Sequence, residues 1–250
     1  LKHSNQVPEC ALAIEGLFKD AGFPKGLFTT VITGHEAAGE VIASDLVAGV
    51  SLTGSTGAGM KIGAAAGAAL KPCVLELGGS DPFIVLDDAD IEKAATAGVG
   101  GRFLNCGQSC IASKRFLVQK DVFDEFAKVF AEKTKEKVVG DPMDEKTDIG
   151  PLVNKDAFDG IQDQFKDAVS KGAEVLAGGE RVGDKGYFFA PAVLKNVNEK
   201  MKVMSEEVFG PIAPVFAVKD EDEAVKIANS SEFGLGGSVF TKDLERGKKV

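Results

Sequence analysis

Cys110 stands in the run Phe103–Arg115, behind the step Gly107-Gln108 and ahead of two cations, Lys114 and Arg115. A thiolate can attack a carbonyl carbon, and a carboxylate can take up a proton or activate the water that later releases an acyl product. Glu76, in Leu75-Glu76-Leu77-Gly78-Gly79, is the carboxylate whose setting fits the second task. Each residue also has an ordinary reading. Free cysteines are often inert small hydrophobes in a core. Against that, Asn105, Gly107, Gln108 and Ser109 form a polar, turning segment that exposes a thiol, with Gly101 and Gly107 breaking the helix before it. Lys114 and Arg115 are placed to favour the thiolate. A glutamate between leucines in a strand either points away from them or is buried at a cost unless partnered. Because two glycines follow, Glu76 sits at a carboxyl-terminal strand end, where open α/β sheets place their ligands. A buried ion pair or an exposed edge residue remains the alternative.

Two further stretches suggest cofactor chemistry. Gly54-Ser55-Thr56-Gly57-Ala58-Gly59 joins a strand to a helix, where backbone N–H groups and the positive helix end can meet a phosphate. Its spacing departs from both G-x-G-x-x-G and the Walker pattern, so a tight βα turn explains it equally well. Glu206-Glu207-Val208-Phe209-Gly210-Pro211 offers a carboxylate for ribose hydroxyls with an aromatic beside it, or a solvated acidic turn with Phe209 as a core anchor. Cys10, Cys73, Cys106 and Cys110 have the spacing of no disulfide framework, and with only His3 and His35 to help them no metal site is expected. A Cys106–Cys110 disulfide that switches activity off is a hypothesis the spacing permits.

These residues must be held by regular elements. Apolar spacing predicts a helix over Pro8–Ala21, a strand over Leu27–Thr33, a helix over Glu36–Ala43 and a strand over Val47–Thr53. An alanine-rich helix to about Leu70 and a strand Cys73–Leu77 follow. The alternation restarts with a strand Phe83–Leu86, a helix from Ile91 toward Phe103, a strand Phe116–Gln119 and a helix Val122–Lys137. Then come a helix Ala157–Ser170, strands Glu174–Leu176 and Ala213–Val218, a helix Glu221–Ala228, a strand Ser238–Thr241 and a helix opened by Lys242–Arg246. Alternating strands and helices predict an α/β fold of doubly wound parallel sheets. The expected division is 1–78 and 79–250, at the glycine pair.

The chain has 250 residues, 44% of them hydrophobic and 27% charged, with net charge −9. That balance suits a globular enzyme and argues against a nucleic-acid partner or a membrane span. With no targeting segment visible, the cytoplasm is the expected compartment. The chain starts at Leu1 without methionine and stops at Val250 within a helical pattern, so an interior fragment of a longer protein is expected.

Thr53–Thr56 with Gly59, Leu75–Gly79, Phe103–Cys110 and Glu206–Pro211, in that order and spacing, resemble the aldehyde dehydrogenase superfamily over essentially the whole chain. Gly78–Leu86 and the opening Leu1-Lys2-His3 are most similar to bacterial NAD(P)-dependent succinate-semialdehyde dehydrogenases. The resemblance implies a partial Rossmann-like NAD(P)-binding domain over 1–78 and a truncated α/β catalytic domain over 79–250. It implies Cys110 as nucleophile and Glu76 as general base in oxidising an aldehyde, with NAD or NADP as hydride acceptor. Gly54, Ser55 and Gly59 would lie by the pyrophosphate, Lys2 by the adenosine ribose, Leu77 against the cofactor, Glu207 on the nicotinamide ribose and Phe209 beside it. The full-length protein would be a homo-oligomer acting on a small aldehyde.

Three departures qualify the resemblance. Asn5 stands where many NAD-selective members carry a glutamate, so nothing there repels a 2′-phosphate. Leu104 stands where some succinate-semialdehyde enzymes carry a carboxylate-binding arginine, with Arg102 close by. The family's oxyanion-stabilising asparagine lies upstream of the segment matching Lys2, so a weak or inactive isolated chain is expected, since losing such a donor can cost about 10²–10³ in turnover. Two other functions compete: a CoA-acylating semialdehyde dehydrogenase, which would have no use for Glu76 as a water-activating base, and an inactive nucleotide-binding scaffold.

Overall fold

In the computed structural model, which describes residues 1–250, the chain divides into Leu1–Leu77 and Gly78–Val250. The first unit runs α1 (Pro8–Asp20), α2 (His35–Ala43), β1 (Val50–Thr53), α3 (Thr56–Ala68) and β2 (Cys73–Glu76). β1 and β2 pair in parallel, with Thr53 beside Glu76, so the glycine-rich loop and the glutamate leave the same end of the sheet. The helix signals held because each has a local stop or start: Pro8 opens α1, and the Ser55 hydroxyl caps α3 by accepting the Ala58 N–H. This unit buries few apolar side chains fully, Ala11, Ile42 and Ala66.

The strand expected over Leu27–Thr33 does not form. Its β-branched and aromatic residues have the right propensity, but the backbone finds only Leu1 opposite, through Leu1 N to Thr29 O at 2.6 Å and Val31 N to Leu1 O at 2.8 Å. Propensity without a ladder partner leaves an extended segment.

The second unit is built on a six-stranded sheet. Its elements are β3 (Asp81–Val85), α4 (Ile91–Phe103), β4 (Ser113–Gln119), α5 (Lys120–Lys135), α6 (Lys155–Ser170), β5 (Glu174–Ala177), β6 (Ala192–Lys195), α7 (Lys202–Ser205), β7 (Ile212–Val218), α8 (Glu221–Ala228), β8 (Ser238–Phe240) and α9 (Leu244–Lys249). Strand order is β5-β6-β7-β4-β3-β8, parallel throughout except for β5 against β6. β6 and α7 escaped the sequence reading: β6 offers only Ala192-Val193-Leu194 as an apolar run, and α7 is a single turn.

Side chains on β3 and β4 alternate between two cores, as strand geometry requires. Phe83, Val85, Phe116 and Val118 face a core shared with α4 and α5, where Phe103, Phe126 and Phe130 gather. Ile84, Leu86 and Leu117 face the other way, onto Ala224 and Ile227 of α8. The sheet is therefore covered on both faces. This packing fixes the turn after α4 and the turn into β7.

Candidate active site

The turn after α4 is unusual in its backbone. Gly101 does not break the helix, contrary to expectation: α4 runs through it to Phe103. The break comes at Asn105, Cys106 and Gly107, which all have positive φ (50°, 59° and 71°). Each such residue with a side chain costs about 1–2 kcal/mol, so local contacts must hold the turn. The Asn105 amide donates to Gln108 O at 3.0 Å, and Gln108 N–H returns a bond to Asn105 O at 3.0 Å. Gln108 Oε1 accepts Val153 N–H at 2.9 Å, and the Cys106 thiol donates to Gly150 O at 2.7 Å. Gly107 has no room for a side chain: a Cβ would meet Gly210 O at 2.5 Å. The Gly-Gln step is thus a structural clasp.

The two neighbouring thiols diverge. Cys106 is buried, and burial pushes its pKa up to about 11. Cys110 is partly exposed, and both thiols are free. Cys106 is committed to a carbonyl and keeps its proton at neutral pH, so only Cys110 has the access a nucleophile needs.

The cations around the turn do something the sequence did not disclose. Lys114, with a fully buried side chain, donates to Ser109 O at 2.7 Å and Cys110 O at 2.8 Å. Arg115 donates to Ser80 O, Ile227 O and Ala228 O. Both grip main chain where thiolate-favouring charges were expected, and burial lowers the pKa of each. Arg102 is likewise unavailable to a substrate carboxylate. It is fully buried and donates to Ile212 O at 2.8 Å, Val208 O at 2.9 Å, Gly210 O and Ser113 O. Burial pushes its pKa down to about 9, which still leaves it charged at neutral pH.

Arg102 thereby ties α4 to the turn that carries Glu207 and Phe209. Glu207 Oε1 accepts Gly79 N–H at 3.0 Å and lies 3.4 Å from Lys114 Nζ. Gln164, on α6, donates to Glu206 Oε2 and Glu207 O, both at 3.1 Å. Glu206, one of the two adjacent acids, is therefore spent as an acceptor for α6. Phe209 is 43% exposed, which excludes the core-anchor reading. Asp81, at the start of β3, is buried, accepts Gly236 N–H at 2.9 Å, and has its pKa raised by burial. Gly79 touches the Cys110 turn directly, since a Cβ there would stand 2.3 Å from Cys110 O.

In the first unit Glu76 ends β2 with its side chain exposed, so the buried alternative falls. Gly54 precedes the Ser55 cap, and the first turn of α3 leaves backbone N–H groups free of helical partners. Gly59 serves packing: a Cβ would meet Leu77 Cδ2 at 2.5 Å, so α3 closes onto Leu77 only because that position is bare. Lys2 Nζ donates to His3 O at 3.0 Å.

Groups for a dinucleotide are present on each unit. A helix N-terminus without acidic residues in its first turn suits a pyrophosphate. Glu207 keeps Oε2 free of protein donors, and a Cβ on Gly78 would come within 2.4 Å of that oxygen, so bare glycine keeps the space beside it open. The site residues fit NAD(P). Gln164 is a neighbour of this cluster that sequence reasoning missed, while Lys114 and Arg102 were noticed but given outward tasks, because their partners are main-chain carbonyls.

Comparison with known proteins gives a consistent picture. The family described as "Aldehyde dehydrogenase family" matches residues 1–250. The chain is 49% identical over 250 residues to the succinate-semialdehyde dehydrogenase [NADP(+)] of Deinococcus radiodurans, covering 100% of this chain and 52% of the relative. It is 42% identical to the succinate semialdehyde dehydrogenase [NAD(P)+] Sad of Escherichia coli, covering 100% and 54%. The solved succinate-semialdehyde dehydrogenase from Burkholderia pseudomallei superposes with TM-score 0.96 at 37% identity, over 99% of this chain and 52% of that one. The chain spans about half the length of the curated relatives it matches.

Proposed function

Because the chain belongs to the aldehyde dehydrogenase family, we propose that the whole protein oxidises an aldehyde, with succinate semialdehyde as its substrate, to the carboxylic acid with NAD(P)+. The observation that carries this reading is the split between two near-neighbour thiols: Cys106 buried and protonated, Cys110 partly exposed on a turn whose backbone is clamped. A nucleophile needs access and fixed geometry together, and Cys110 has both.

Cys110, as thiolate, bonds to the aldehyde carbon and forms a thiohemiacetal. NAD(P)+, when bound, would supply the hydride acceptor that this adduct needs to become a thioester held on Cys110. Glu76, an exposed carboxylate at a carboxyl-terminal strand end, takes the proton of the attacking water, and the acid leaves as Cys110 is restored. Glu207 holds a ribose hydroxyl through its free oxygen, with Phe209 beside the nicotinamide. Gly54, Ser55 and Gly59 frame the pyrophosphate at the head of α3, and Leu77 packs alongside. Lys2 turns from His3 O toward the adenosine ribose, and with Asn5 in place of a carboxylate the 2′-phosphate of NADP is accepted. NADP dependence in the Deinococcus relative's name supports that preference.

The substrate carboxylate needs a cation other than Arg102, which is fully buried with four of its five N–H groups on main-chain carbonyls. Expressing the complete reading frame and following NADH and NADPH formation over a panel of short semialdehydes tests the proposal, with Cys110→Ala and Glu76→Gln as controls. Full activity in Cys110→Ala, or no preference for succinate semialdehyde, would remove the corresponding part.

A further inference from the structure

Lys114 has three protons and three acceptors. Its ammonium lies 2.7 Å from Ser109 O, 2.8 Å from Cys110 O and 3.4 Å from Glu207 Oε1, and its side chain is wholly buried. A buried ammonium is tolerated only when paired and hydrogen-bonded, so the three contacts stand or fall together. Glu207 Oε1 is shared with Gly79 N–H at 3.0 Å. Gly79 closes the loop, because its bare Cα packs against the same Cys110 carbonyl oxygen that Lys114 holds. The contacts therefore form a ring: Cys110 O, Lys114, Glu207, Gly79 and back to Cys110 O. Arg102 and Asp81 are the other charged groups felt by the ammonium.

With Cys110 as nucleophile and Glu207 as ribose-binding group, the reading given above on which this step rests, we infer that Lys114 is a positioning residue that sets the Glu207 carboxylate and the Cys110 main chain as one unit. Occupation of Glu207 by the cofactor ribose is then transmitted to the thiol. A carboxylate that moves toward a ribose hydroxyl pulls on the ammonium, and the ammonium holds the carbonyls on both sides of the Cys110 Cα. A mere plug for two buried carbonyls would transmit nothing.

Lys114→Gln separates the two roles, because the amide still donates to main-chain carbonyls but carries no charge for Glu207. In the protein expressed from its complete reading frame, this variant raises KM for NADP+ about tenfold or more, the loss of a charge-assisted bond worth about 1.4 kcal/mol. The Lys114→Gln/Glu207→Gln double variant has a KM no higher than Glu207→Gln alone, since coupled residues do not act additively. Wild-type KM in Lys114→Gln, or effects that multiply, overturns the inference. A second measurement does not depend on how Lys114 variants fold. Saturating NADP+ alters the rate at which iodoacetamide alkylates Cys110 in the wild-type protein, and in Glu207→Gln it no longer does. No cofactor effect in the wild type, or an undiminished one in Glu207→Gln, also overturns it. Failure of the proposed function shows separately, as a wild-type protein without aldehyde oxidation or an active Cys110→Ala.

Discussion

Gly79→Ala tests how tightly the nucleophile turn is located. The new Cβ would stand 2.3 Å from Cys110 O and 3.3 Å from its carbonyl carbon, whereas real Cβ atoms keep to 3.0 Å or more. The turn or the strand end must therefore give by about 0.7 Å, a shift close to the ~1 Å misplacement that can cost 10²-fold in rate. The oxygen cannot retreat freely, because Lys114 holds it at 2.8 Å. A kcat about 10²-fold below wild type follows, equivalent to ~2.7 kcal/mol of activation free energy. Overpacking of this kind also lowers stability by about 1–3 kcal/mol, which in a protein of this size lowers Tm by about 2–12 °C. Steady-state rates at saturating semialdehyde and NADP+ give kcat, and circular dichroism shows whether the fold survives. Gly78→Ala is the matched comparison. Its Cβ would come within 2.4 Å of Glu207 Oε2, a side-chain oxygen that no protein donor holds, although Gly79 N–H and Lys114 hold the other one. That variant raises KM for the cofactor and lowers kcat less than Gly79→Ala does. A folded Gly79→Ala protein with kcat within about threefold of wild type would refute the reasoning, and so would identical behaviour of the two variants.

Arg102→Met leaves four carbonyls without their buried donor, so stability falls by about 3–5 kcal/mol and calorimetric Tm by ~6–20 °C; an unchanged Tm would show that the clamp contributes nothing. Cys106, raised from 9.0 to about 11 by burial, keeps its proton in the folded protein while the unfolded chain loses it between those values. The associated stability of about 2.7 kcal/mol is present below pH 9 and lost as pH rises through 11. Cys106→Ser lacks this component, so its urea midpoint falls less steeply between pH 8 and 11 than the wild-type one; parallel curves would count against the assignment. Gly59→Ala collides with the movable end of Leu77 at 2.5 Å, costing about 1–3 kcal/mol. Leu77→Ala in the same background recovers part of that loss in urea unfolding, whereas strictly additive losses would exclude the contact.

Most helices and the central strands were legible because their signals are local. Ile91–Phe103 and Glu221–Ala228 both open on side-chain caps, Asp90 and Asp220, and the second also carries an amphipathic periodicity. Leu27–Thr33 failed because a strand is a pair, and propensity says nothing about whether a partner exists. β6 was missed for the converse reason: Ala192–Lys195 is short and weakly patterned, and it is a strand because Pro211–Pro214 and Glu174–Ala177 lie on either side to receive it. Of the candidate site residues, Glu76 and Phe209 are exposed and Cys110 partly so, an accessibility that residue type and surroundings pointed to for Glu76 and Cys110. Arg102 and Lys114 were noticed but assigned outward tasks. Their partners are carbonyl oxygens, which every residue carries, so no pattern of side chains announces them.

That blind spot has a physical reason. Three consecutive positive-φ residues place Cys110 on a turn that cannot satisfy its own backbone through helix or ladder bonds. Carbonyls left in the interior need donors; a carboxylate offers none, and a hydroxyl offers one on a short stem. Arginine and lysine bring several donors on long stems, so one side chain reaches acceptors from segments far apart in sequence: Arg102 spans α4 and the turn into β7, Arg115 joins Ser80, just before β3, to the end of α8, and Lys114 spans the Cys110 turn and Glu207. Burial lowers the pKa of all three cations, a price accepted because the alternative is unpaired carbonyls beside the reacting atoms. Irregular backbone around Cys110 and buried cations behind it are therefore one feature. Rigid placement of Cys110 depends on charges that face main chain and the Glu207 carboxylate.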